Sequence, residues 1–134
     1  MPNCQVISAH VGQTLIATQH QRLSASAAAS IGSLCSGGVV PKRVPTSKTS
    51  LSEALTPTVV TLQVEAGQAN TVYFTIDGST PSAINGMVVP VAPAQIGLPY
   101  PDLLANAGTV SATNQQIQLF AGGATNVQAC FEYW

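Results

Sequence analysis

Charge is what this sequence has least of. Only four residues are Lys or Arg and five are Asp or Glu, 7% of 134, with a net charge of −1; an average soluble domain carries about 25%. With so few cations there is no basic stripe to neutralise phosphates, which excludes nucleic acid and an anionic membrane surface as partners. Long apolar runs are also missing, so no transmembrane helix is expected. The opening "MPNCQVISAHVGQTLIATQHQR" has neither a basic region nor a continuous apolar one, so export by a signal peptide is not expected. Cysteine is limited to Cys4, Cys35 and Cys130. An odd number at distant positions without C-x-x-C spacing suits neither a disulfide framework nor a zinc site. Free thiols in a reducing compartment are expected, with a single disulfide as the alternative.

The apolar fraction, 46%, is ordinary. Ser, Thr, Asn and Gln have taken the place of the missing charge, so the polarity of this chain is neutral. Free monomers cover about a quarter to a third of their surface with charge. A neutral surface therefore points to cover by a partner or by copies of the same chain. The length fits one domain that buries roughly two thirds of the surface of its unfolded chain.

Pro and Gly interrupt almost every window that could be helical, and β-branched residues gather in short runs between turn signals. The pattern predicts strands at residues 5–8, 14–17, 23–30, 59–64, 71–76, 86–91, 116–120 and 126–133. It gives an all-β single domain, a β-sandwich or jelly roll, with an extended N-terminal arm. The arm is placed at residues 1–20, which have few apolar anchors, and the sandwich at 21–134. In "LSASAAASIGSL" Ala favours helix, but Ser alternates with Leu, Ala and Ile, so a strand is expected. "YPDLLANAG" could hold one helical turn ended by Gly108. Residues 35–57, with three of the four basic side chains and three prolines, read as a long inserted loop that can touch a partner.

The most informative stretch is "VYFTIDGSTPSAINGMVVP", residues 72–90. Val72, Phe74 and Ile76 alternate with Tyr73 and Thr75, the pattern of a half-buried strand. Asp77, Gly78, Ser79, Thr80 and Pro81 then form a structural turn. The Asp carboxylate bonds amides two residues on, Gly accepts positive φ, and Pro81 fixes φ in the following loop. One carboxylate among hydroxyls falls far short of a calcium loop. No nucleophile, base and orienting group converge in sequence, and Cys4 or Cys35 beside His10 or His20 lacks an Asn or Asp context. The expectation is a non-enzymatic protein with no cofactor and no metal.

From Gln21 onward the chain resembles small β-sandwich proteins encoded among the virion genes of tailed bacteriophages. The residues that carry the resemblance are "QRLSASAAASIGSL", "VTLQVEAGQA", "FTIDGSTPSAINGM" and the closing "LLANAGTVSATNQQIQLFAGGATNVQACFEYW". The long segment at 35–57 and Ile76 depart from that pattern. The resemblance implies a head decoration or cement protein, a homotrimer bound to the major capsid protein on the virion and assembled in the host cytoplasm. A tail or host-recognition component shares the fold. Contacts are expected from the arm and the inserted loop, with His10, His20, Arg22, Lys42, Arg43 and Lys48 as candidates. "YFTIDGSTPS" is also similar to immunoglobulin-like accessory domains beside chitinase and hexosaminidase catalytic domains. That likeness implies a carbohydrate-associated module, for which Tyr73, Tyr100, Tyr133 and Trp134 are the aromatic residues available.

Overall fold

The computed structural model describes residues 17–38, 40–41, 57–99 and 117–133. Among them eight strands form two four-stranded sheets: β1 (Ala17–Ala25), β2 (Ala29–Ser30), β3 (Val59–Val64), β4 (Val72–Thr75), β5 (Met87–Val88), β6 (Ile96–Pro99), β7 (Gln118–Ala121) and β8 (Thr125–Tyr133). One sheet has the order β1-β8-β3-β6 and the other β2-β7-β4-β5, and every pairing between these strands is antiparallel. The protein is thus an all-β sandwich. Among the described residues no helix is long and apolar enough to cross a membrane.

Alternation explains the layering. Leu23 and Ala25 of β1, Val60, Leu62 and Val64 of β3, Leu98 of β6, and Val127, Ala129, Phe131 and Tyr133 of β8 are buried. They meet Val72 and Phe74 of β4 and Leu119 and Ala121 of β7, with Val89, Ile117, Ile31 and Cys35 completing the core. Side chains two apart along a strand share a face, so two such apolar faces exclude water only by packing together.

Strand β8 pairs with β1 along its whole length, from Ala17 opposite Tyr133 to Ala25 opposite Thr125, and with β3 from Glu132 to Val127. Among the described residues the sheet begins at Ala17, and residues 17–20, expected in the arm, are strand. Apart from Ala17, which packs on the core, their side chains are polar, and the backbone of β8 supplies their hydrogen-bonding partners. Residues 1–16, with the strand expected at 5–8 and most of the one at 14–17, lie outside the described residues, as does the helical turn expected in residues 100–108.

The continuous strand expected over residues 23–30 divides. β1 stops at Ala25, Ser26–Ala28 turn a corner, and β2 adds to the opposite sheet. The Ala121 N–H donates to Ser26 O at 2.8 Å across that corner. Ser30 then caps a single helical turn, α1 (Ile31–Leu34), by accepting from the Ser33 N–H at 3.3 Å. Small Ser and Ala side chains allow a bend that larger ones would crowd. The segment expected as an inserted loop is docked where it is described. Cys35 is buried, Val40 packs on the core, and the Tyr133 hydroxyl donates to Pro41 O at 2.6 Å. Pro57 is buried, and the Thr58 N–H donates to Glu132 O at 2.9 Å.

Strand β6 was not expected, because Gly97 and Pro99 weaken its β signature; it pairs only with β3, at the sheet edge where Pro is tolerated. Within the β4–β5 connection a close backbone approach demands glycine at residue 86. Gly86 has φ +145, and a Cβ there would stand 2.9 Å from Phe74 O. Gly67, with φ +83, has nothing within 4 Å. Gly67→Ala is expected to cost about 1–2 kcal/mol through its left-handed backbone alone. Gly86→Ala is expected to cost more, about 2–4 kcal/mol, from strain plus the backbone clash. Urea unfolding of the two variants checks this order.

Candidate functional site

Turn chemistry organises the hairpin singled out in the sequence. Asp77 Oδ1 accepts from the Ser79 backbone N–H at 3.0 Å and from the Ser79 hydroxyl at 2.6 Å. Gly78 has φ +81, the conformation an Asp-Gly turn needs. The Thr75 hydroxyl donates to Ser79 O at 2.6 Å, and Gln118 Nε2 donates to Gly78 O at 3.2 Å, tying the turn to β4 and β7. Further out, Asn85 Nδ2 donates to Thr80 O at 2.8 Å, and Ser82 and Asn85 exchange backbone hydrogen bonds of 2.8 and 3.2 Å. Pro81 is buried in this loop. The five turn residues thus sit together, with Asp77 and Ser79 bonded to each other and the carbonyls of Gly78, Ser79 and Thr80 accepting from Gln118, Thr75 and Asn85.

This stiff hairpin carries apolar residues outward. Ile84, at the tip of the Ser82–Asn85 turn, is 98% exposed. Ile76, Met87, Val88 and Val91 are each about half exposed, and these five are the exposed large hydrophobic side chains among the described residues. All fall within residues 76–91: Met87 and Val88 form β5 at the edge of its sheet, and Val91 bridges Val64 of the other sheet. Beside them on the outer face, Val88 lies opposite Tyr73, and Tyr73 opposite Phe120. The two half-buried rings are 6.4 Å apart with planes tilted by 32°. Sequence reading missed these exposed residues because alternation marks apolar residues as core; it does not reveal that β5 stops at two residues on a sheet edge.

The other sheet presents a polar face. Arg22 donates to Glu65 through Nε at 2.7 Å and Nη2 at 2.8 Å, a two-pronged ion pair. Gln128 Nε2 donates to the same carboxylate, and Gln128 Oε1 bonds the His20 ring. Thus His20, expected in the arm, and Arg22, expected as a partner contact, stand in β1 and hold partners within the domain. The candidates His10, Lys42, Arg43 and Lys48 lie outside the described residues. At the far end of this face, Cys130, Thr61 and Glu132 are buried, with the Thr61 hydroxyl 3.5 Å from Glu132 Oε2.

The cysteines correct an expectation. Cys130 is disulfide-bonded, so the reading of three free thiols fails. Sequence spacing carries no information about distance in the fold. Cys35 is a free thiol buried in the core, and burial pushes it up to about 11, which keeps it protonated and unreactive near neutral pH. Tyr133, counted among possible sugar-stacking rings, is fully buried. Among the described residues no group of three His, Cys, Asp or Glu could hold a metal ion.

No family model matches this chain, and neither a curated protein nor a solved structure shows a significant match to it.

Two outcomes check this geometry. Alkylation in denaturant without reductant is expected to label Cys35 and spare Cys130, and prior reduction to expose both; peptide mass mapping distinguishes them. The second concerns acid. Hydrogen bonds from Arg22 hold the Glu65 carboxyl below its ordinary range against some desolvation, and the Ser79 hydroxyl, then the Ser79 N–H, do the same for Asp77. Folded values below the unfolded ones, about 4.3 and 3.9, mean that both groups stabilise the fold above those pH values. Their contribution is lost as pH falls through the lowered folded values. The double variant Glu65→Gln/Asp77→Asn is expected to flatten the fall in Tm between roughly pH 5 and pH 2.

Proposed function

We propose that this chain is a non-enzymatic structural protein of a tailed-phage particle, a head decoration or cement protein that binds the capsid shell and stabilises it. The observation that carries the reading is the state of its charges. The described residues contain four charged side chains, Arg22, Glu65, Asp77 and Glu132. Arg22 and Glu65 neutralise each other, Asp77 is bonded into its turn, and Glu132 is buried beside Thr61. Among the described residues the rest of the exposed surface is therefore made of hydroxyls, amides and apolar groups, which can be covered broadly with little loss of charge hydration. The sequence resemblance to virion accessory proteins points the same way. A disulfide at Cys130 suits a particle that spends its life outside a reducing cytoplasm.

Attachment of this kind draws on many neutral contacts and on several copies acting together. A second reading, a host-recognition or carbohydrate-associated module, rests on the half-buried Tyr73 and Phe120 rings, a stacking surface of the type sugars use.

Co-sedimentation with expanded capsids lacking the protein separates these readings. Saturable binding in regular stoichiometry is expected, and it should weaken little as ionic strength is raised from about 0.1 M to about 1 M, since few charges are involved. Absence of capsid binding, together with retention on immobilised glycans that Tyr73→Ala abolishes, would overturn the cement reading in favour of the second.

A further inference from the structure

We infer that Cys4 is the sulfur partner of Cys130, and that this disulfide is a redox-sensitive latch holding the N-terminal segment, residues 1–16, across the outer face of β8. The inference rests on the cysteines and on that face, and it holds wherever the protein works.

Elimination names the partner. The chain has three cysteines. Cys130 is disulfide-bonded, and Cys35 is a free thiol buried in the core. Cys4 is the sulfur that remains within the chain.

Burial shows where the segment goes. Residues directly opposite each other in an antiparallel pair share a face, so His20, Cys130 and Thr61 form one row across the outer side of the sheet, and Thr18, Glu132 and Val59 form the next. Val59, Thr61, Cys130 and Glu132 are all buried. In the row on the other side of Cys130, Arg22 is exposed and Gln128 and Gln63 are half-buried. The second sheet is not the cover, because it packs on the side of Val127, Ala129 and Phe131. Cover over the Cys130 end of this face therefore comes from another part of the chain.

Chain entry and reach both match that end. β1 is an edge strand that opens at Ala17, opposite Tyr133 and three residues along β8 from Cys130. Three residues of strand are about 10 Å. The twelve residues 5–16 can span up to about 40 Å, enough for the chain to turn back over the face and set Cys4 above Cys130. A disulfide keeps its two Cα atoms within about 4–7 Å of each other, so the backbone around Cys4 lies directly on the buried row. Residues 1–16 contain no Asp, Glu, Lys or Arg, so laying them on the face strips no charged side chain of its water.

Closing the latch forms one S–S bond and removes two electrons and two protons from the Cys4 and Cys130 thiols. A small-molecule disulfide such as oxidised glutathione accepts them and becomes two thiols. A reducing dithiol reverses the step. The redox state then decides whether residues 1–16 are held or released, and whether Val59, Thr61 and Glu132 are covered or open to a partner.

Trypsin cuts after Arg22, Lys42, Arg43 and Lys48, so Cys4, Cys35 and Cys130 fall in three different peptides, 1–22, 23–42 and 49–134. Digestion of the alkylated, unreduced full chain in urea is expected to give 1–22 joined to 49–134, with 23–42 separate, from a protein that runs as a monomer on a non-reducing gel. Peptide 49–134 joined to 23–42 or to a second copy of itself, or a covalent dimer, would overturn the pairing. Limited subtilisin digestion of the folded protein tests the latch. Cleavage within residues 5–16 is expected to be at least about tenfold faster in Cys4→Ser, and in the reduced wild type, than in the oxidised wild type, with a cooperative unfolding transition retained in all three. Equal rates, fast or slow, would overturn the latch, as would global unfolding of Cys4→Ser.

Discussion

Everything in this sandwich hangs from the pairing of β8. That strand lies between β1 and β3, hydrogen-bonded to both, and buries Val127, Ala129, Phe131 and Tyr133 against the opposite sheet. Because β1 opens the described chain and β8 closes it, their nine-residue register joins distant parts of the sequence. Such long-range pairing carries a large entropy of loop closure, which the apolar face of β8 must offset. Beyond residue 129 its outer face is covered too, and Cys130, Thr61 and Glu132 are buried there. A strand paired on both edges, and covered on both faces beyond residue 129, resists local opening.

How much of this could be read in the chain depended on whether side chains or backbone decide each element. β3, β4 and β8 were legible because Val60-x-Leu62-x-Val64, Val72-x-Phe74 and Val127-x-Ala129-x-Phe131 alternate clearly. The first half of β1, "ATQHQ", was not, since it is a strand through hydrogen bonds to β8 and has only Ala17 as an apolar anchor. The corner at Ser26–Ala28 was hidden because the alternation of Ser and Ala over residues 24–27 runs into the bend, and the alanines that follow carry no turn signal. The Asp77 turn was legible residue by residue, because an Asx turn is local chemistry. The exposed apolar residues and the disulfide at Cys130 were not, since exposure at an edge and proximity of sulfurs are properties of the assembled fold.

The two sheets divide the labour of the surface. On one, the Arg22–Glu65 pair with Gln128 and His20 forms a polar network that satisfies itself and stiffens the join between β1, β8 and the end of β3. On the other, a hairpin whose polar atoms are spent on each other holds Ile84 away from the core. Rigid scaffolding thus lies close in and exposed apolar side chains further out. Surfaces of this kind carry no short motif.

Residue-resolved native-state amide hydrogen exchange tests the central role of β8 most directly. The slowest amides are expected in Thr125–Tyr133 and in the β1 and β3 residues paired with it, opening only with global unfolding, while the Ser82–Asn85 turn exchanges faster through local opening. If the β8 amides exchanged as fast as those of the turn, that strand would not be the spine of the fold, and the account built on it would fail.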